Sequence, residues 1–359
     1  MNSDTFFSFI TPAGLYFAAS IFGAITILLV ALIYFNLYKK KRRFFSNEKI
    51  TEELNVWISE ALVADDGLPL QGAPWLENYM KSAADRQFVA DNLINIKKNI
   101  SGAASINIMR IYEQLELKTD SLAKLNSPVT YKKCRGIYEL YVMHQQETAP
   151  LLAKYTDSRN ESVRMEAQTA VIAFYGFKGL SFLGTQTQPL NDWQQLKLLE
   201  QLHTFTPEEM PCLSLWLLST NDSVKRFAPK LADIYQKFEV HEQVSACLSS
   251  IDERVRFQAI ATLGRIANEQ TASILTSHYA NETLGNKKNI LKQLSLIGST
   301  SELAFLLDKL NESDDNLKLE AGRAITRSCG EGWDVLQEYV AGDDTLVSIS
   351  RQIKYELAL

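Results

Sequence analysis

One pattern recurs along the second half of this chain at an interval of about 31 residues, and it is helical in period. Its clearest copy runs from Asp252 to Ala267. Acidic residues open it, and Val255, Ala259, Leu263 and Ile266 follow at steps of four, four and three, one apolar stripe along a helix. Other copies open at Asn160, Asp222, Asp314 and Asp343. Degenerate copies sit near the skipped registers, in Asn191-Asp192-Trp193 with Leu196, Leu199 and Leu202, and in Ile290, Leu291, Leu294 and Ile297. A helix pair of this length cannot bury its own apolar stripe, so each unit has to stack on the next.

Composition agrees with long helices. Sixteen glycines and nine prolines in 359 residues are too few for a turn-rich β fold, and 46% hydrophobic residues supply a long core. Charge is uneven. Lys39, Lys40, Lys41, Arg42 and Arg43 form one basic block, with Asp4 the only acid before it. From Phe44 onward the chain carries 32 basic and 41 acidic residues, a net of -9. A module that negative is a poor general ligand for phosphate backbones, so no nucleic-acid partner is expected.

Residues 15–38 form an uncharged run long enough to cross a bilayer core, which needs roughly 20 apolar residues. Tyr16 and Phe17 at one end and Tyr34, Phe35 and Tyr38 at the other suit the aromatic interfaces. The run lacks the basic n-region and small-residue cleavage site of a signal peptide. Positive-inside logic then places residues 1–14 outside and everything after Tyr38 in the cytoplasm, with Lys39 to Arg43 as topology signal in a juxtamembrane segment, 39–47. A plasma (inner) membrane, single-pass location is expected. Gly14, Ala18, Ala19 and Gly23 give small-residue spacings that suit a partner helix.

Residues 48–149 read as a helical region of divergent repeats. A helix at 48–64 places Ile50, Leu54, Trp57, Ile58, Ala61 and Leu62 on one face, before a Gly/Pro-rich connector at 66–74. Helices are expected at 84–99 and 103–118, and Ser127-Pro128 reads as an N-cap with proline at the first helical position. Thr206-Pro207-Glu208-Glu209 reads the same way, as a capping box.

The pattern Asp-x-x-Val-Arg-x-x-Ala-x-x-x-Leu-Gly resembles the second helix of a HEAT or HEAT-like (armadillo-type) repeat. Asp252, Val255, Arg256, Ala259, Leu263 and Gly264 carry the resemblance in full. Asp314, Leu317, Lys318 and Ala321 carry it in part, as do Val163, Arg164 and Ala167, and Asp222, Val224 and Ala228. It covers 150–359 and, more faintly, 48–149. It implies an α-solenoid of HEAT-like helical hairpins, so that with the apolar run at 15–38 the expected fold is all-α, an N-terminal transmembrane helix followed by the solenoid. It also implies that the small Ala admits the paired helix and that Asp and Arg form a ladder between neighbouring turns.

Catalytic chemistry has little footing. No phosphate-binding loop, nucleophile elbow or H-E-x-x-H occurs. Some HEAT-like enzymes hold a di-iron centre on repeated His-Glu pairs; here His241-Glu242 is the one match among His144, His203, His241 and His278. Cys134, Cys212, Cys247 and Cys329 stand far apart and read as small buried hydrophobes. Asp65-Asp66, Asp314-Asp315 and Asp343-Asp344 are explained by helix N-terminal charge, and Trp193, Trp216 and Trp333 by packing between repeats. Tyr131, Tyr138 and Tyr141 mark a patch. No cofactor, metal or small-molecule substrate is expected.

The expectation is a non-enzymatic, membrane-anchored cytoplasmic scaffold that binds a protein partner, in one version a membrane-embedded one. Membrane-bound chains of this layout resemble accessory subunits of envelope-polymer synthases. The alternative is a HEAT-like enzyme, bilin-lyase-like or metal-dependent.

Overall fold

A computed structural model describes residues 12–63, 80–208, 210, 212–298, 300–328, 330–341 and 343–357. The connector at 66–74, Asp65-Asp66, Glu209 and Cys329 lie outside these residues, as do the side chains of Arg42, Arg43, Ala61 and Leu62. Among the described residues the regular structure is helical, with no strand. The chain divides into two compact units, Met1–Gln145 and Gln146–Leu359.

The first unit opens with α1, Pro12–Val63, a single helix of 52 residues. The break expected between an apolar helix ending at Tyr38 and a second helix from 48 is not there. No glycine or proline occurs from Ala24 to Val63, and Lys and Arg are good helix formers, so polarity changes at Lys39 while helix propensity does not. Ile50, Leu54, Trp57 and Ile58 are buried on one face, as their spacing predicts. They pack with residues of α2 (Ala83–Asn99) and α3 (Gly102–Gln114), among them Leu93, Ile94, Ile108 and Tyr112.

Ser82 caps α2 in a capping box with Asp85. The helix expected over 103–118 breaks at Leu115 and Glu116, the latter left-handed at φ 52°, and restarts as α4, Leu117–Leu125. α5 runs Thr130–Val142 with Val129 at its N-cap, two residues later than the Ser127-Pro128 reading. Ser127 Oγ accepts from Val129 N at 3.2 Å, so the serine closes a turn instead of starting the helix.

The second unit is a succession of helix pairs. The second members are α7 (Glu161–Tyr175), α8 (Asp192–Leu202), α10 (Asp222–Ile234), α12 (Glu253–Arg265), α14 (Leu284–Ile297), α16 (Asp315–Ser328) and α18 (Asp344–Leu357). The first members are shorter: α6 (Ala149–Ala153), α9 (Leu213–Leu217), α11 (His241–Ala246), α13 (Thr271–His278), α15 (Leu303–Asp308) and α17 (Gly332–Val340). Before α8 the first member is a 3-10 stretch, Gly176–Thr185. Residues 206–208 are not helical and α9 starts only at Leu213, so the capping-box reading at Thr206 fails. Pro211 removes an N–H and disfavours helical backbone at the residue before it. One apolar core runs through these pairs from Ile172 to Ile353.

Candidate functional site

Seven side chains at intervals of about 31 residues start the second helices. Asn160, Asn191, Asn221, Asp252, Thr283, Asp314 and Asp343 each accept a backbone N–H of the first turn, at 2.7–3.4 Å. Such caps satisfy donors that a helix start otherwise leaves open. This corrects one residue of the sequence reading: Asn221 is the cap and Asp222 is the exposed first helical residue. It also replaces a general charge effect with a direct bond at Asp314 and Asp343.

Counting from each cap, the third residue is the buried Val163, Val224, Val255 or Leu317, and the seventh is Ala167, Ala228, Ala259 or Ala321, each without accessible surface. Leu263 is buried as well. A Cβ on Gly264 would stand 2.2 Å from Gln293 Oε1 and 2.9 Å from Gln293 Cβ, so the glycine lets α14 close on α12.

The expected Asp-Arg ladder does not form, because the aspartates are occupied as caps. Arg164 and Arg256, fourth from their caps, instead bond the carbonyls of Ser158 and Ser250 at 2.7 and 2.9 Å. Arg256 also reaches Glu282 of the next pair at 2.8 Å, whereas Lys318 pairs within its own helix with Asp315 at 3.1 Å. A different ladder links consecutive second helices: Asp192 to Arg226 (2.9 Å), Asp233 to Arg265 (3.5 Å), Lys288 to Glu320 (3.8 Å) and Arg323 to Glu356 (2.7 Å). Glu253 accepts from Thr283 Oγ at 2.6 Å in the same manner. Neighbouring second helices therefore lie side by side with their outer faces in register. Between α10 and α12 a depression of about 300 Å³ opens, lined by Asp222, Ser223, Arg226, Asp252, Glu253 and Arg254.

Among the histidine and cysteine candidates, His241 and Cys247 have buried, structural surroundings, whereas Cys134 and Cys212, expected to be buried, are only partly so. His241 is buried, with Nε2 2.7 Å from Thr271 Oγ1 and Nδ1 3.2 Å from Asn268 Nδ2. Thr271 in turn bonds Asn268, which closes a small network, and burial holds the imidazole pKa below its ordinary value. Glu242 is exposed and does not share this site. Among the described residues no group of three His, Cys, Asp or Glu side chains converges to hold a metal. Burial pushes the Cys247 thiol up to about 11, away from nucleophilic use.

Two findings were hidden from the sequence. Trp193, expected in the interior, is 56% exposed beside the exposed Leu196, while Trp216 is buried. In the first unit Glu139 is fully buried and accepts from Gln87 Nε2 (2.7 Å), Lys124 Nζ (2.6 Å), Arg135 Nε (2.9 Å) and Ser121. Burial raises its pKa, but the bonds from Lys124, Ser121 and Gln87 together with the Lys124 charge outweigh it and hold the carboxyl below the usual range. Tyr138 and Tyr141 meet edge to face at 5.6 Å, and Tyr131 is exposed.

No family model matches this chain, and no curated protein matches it. Among solved structures, an engineered protein covers 85% of this chain and 98% of its own at 13% identity, with a TM-score of 0.39. Human deoxyhypusine hydroxylase in complex with glycerol covers 80% and 98% at 16% identity, TM-score 0.32. A second engineered protein covers 74% and 95% at 15% identity, TM-score 0.21. All three TM-scores are too low to assign a fold family or an activity.

Proposed function

We propose that this chain is a membrane-anchored scaffold, in which an α-solenoid of HEAT-like hairpins offers one continuous face to a protein partner in the cytoplasm. The observation that carries this reading is the in-register row of second helices, stitched by ion pairs that leave their outer faces open. Such a surface suits an extended partner better than a small substrate.

The anchor reading rests on α1. Its segment Pro12–Lys41 contains an 18-residue window of mean hydropathy 2.4, none of it buried, and is long and apolar enough to cross a membrane. Its polar side chains are satisfied within the helix, as lipid requires: Ser20, Thr26 and Asn36 each donate to the carbonyl four residues back, at 2.8, 2.8 and 3.0 Å. The cations that follow set the cytoplasmic side. Tethering raises the effective concentration of the array for a membrane-embedded partner.

Fractionation tests this. The full chain should resist carbonate extraction from membranes, and a chain lacking residues 1–43 should leave the membrane fraction and keep its helical circular dichroism. Extraction of the full chain by carbonate would contradict the reading.

A further inference from the structure

The face just described has a chemistry that narrows its partner. The second, fifth, ninth and thirteenth residues after each cap share one side of a helix. Across α10, α12, α14 and α16 half of these positions are Lys or Arg and none is acidic. Four of the cations are members of the inter-helix ladder. The other four, Lys230, Arg254, Lys292 and Arg327, make no ion pair among the described residues. Acids gather instead in the segments between these helices, with Glu239, Glu242, Glu269, Glu302 and Glu312 against only Lys237 and Lys309. An acidic unit thus carries one positive face.

Exposed apolar side chains are set among the cations. Ile234 (48% exposed) follows Lys230 by four residues and Leu296 (56%) follows Lys292 by four, while Phe257 (48%) follows Arg254 by three. Three of these four cations, Lys230, Arg254 and Lys292, therefore have an apolar neighbour on the same face.

We infer that this face binds a protein segment that alternates acidic and apolar side chains and runs across the helices in extended form. The inference rests on the scaffold reading and adds the partner's chemistry to it. Packed helices lie about 8–10 Å apart and an extended chain advances about 3.3 Å per residue, so every third residue of the segment meets a new helix. Nucleic acid fits less well. Half the cations already have carboxylate partners, and the acidic segments between them would repel a long polyanion.

The test uses the full chain in detergent micelles and a fluorescent peptide of five Glu-Leu-Ser repeats, with binding read by anisotropy. Lys230→Glu with Lys292→Glu should weaken binding at least ten-fold, and Phe257→Ser several-fold. Lys154→Glu, at an exposed residue outside these helices, should leave it unchanged. Circular dichroism checks that each variant is folded, and Lys230→Gln with Lys292→Gln provides a milder replacement that should show an intermediate loss. Failure of the wild-type chain to bind, or equal binding by all variants, would overturn the inference. So would charge reversal that abolishes capture of duplex DNA or of phosphatidylserine-coated beads while the peptide stays bound. Carbonate extraction separates the two readings: a wild-type chain that stays anchored in the membrane but does not bind the peptide rejects this surface alone.

Discussion

Asn221 and Asp222 stand next to each other, and only the first has a partner in the helix it begins. Asn221→Ala should cost about 1 kcal/mol, the usual value of a lost cap, while Asp222→Ala should stay within about 0.5 kcal/mol. Urea denaturation measures both. Gly264 and Gly285 make a similar contrast. A methyl on Gly264 meets the buried Gln293, so Gly264→Ala should cost about 1–3 kcal/mol through overpacking. A methyl on Gly285 meets nothing within 4 Å, so Gly285→Ala should stabilise by about 0.5–1 kcal/mol.

Glu139 ties stability to pH at the same scale. Its folded pKa is lowered, so its contribution is fully present above the unfolded carboxylate value and is lost as pH falls through the folded value. Glu139→Gln should flatten the acid limb of a stability-against-pH curve below about pH 4.5. An unchanged limb would show that the network does not govern acid unfolding.

Among the elements, Arg256 bridges two consecutive pairs. Its carboxylate partner Glu282 is almost wholly buried, with a side chain 4% exposed. Removing the guanidinium leaves that charge poorly compensated, so Arg256→Ala should cost about 3 kcal/mol, whereas Lys318→Ala, which loses an exposed pair within one helix, should cost less than about 1 kcal/mol. Thermal or urea unfolding of the two variants checks the ranking.

The period of these elements was legible because the third and seventh positions after each cap are apolar or small in every clear copy. The buried face of Ile50, Leu54, Trp57 and Ile58 was legible for the same reason. The one-residue slip at Asn221 arose because Asn and Asp cap equally well, so residue type alone does not choose between neighbours. Periodicity also could not show that the pair before α8 uses a 3-10 stretch, or that Trp193 faces outward, since both depend on packing with other segments. The positive face was least legible: its cations are scattered in sequence and converge only when helices about 31 residues apart lie side by side.

For the whole molecule, the repeat turns local rules into a long surface. Each pair of the second unit buries its stripe against its neighbours, so stability is built from nearest-neighbour contacts along one core. In the first unit α1 is continuous from its apolar stretch to the residues that enter the core at Ile50, which makes the proposed anchor and that core parts of one rod. The functional proposal depends on the side of the membrane to which this rod delivers the chain. Tyr355 is 90% exposed near the end of α18 and reports that side. With the four native cysteines replaced by serine, Tyr355→Cys should react with a membrane-impermeant maleimide only after cells are permeabilised; labelling in intact cells would contradict a cytoplasmic scaffold.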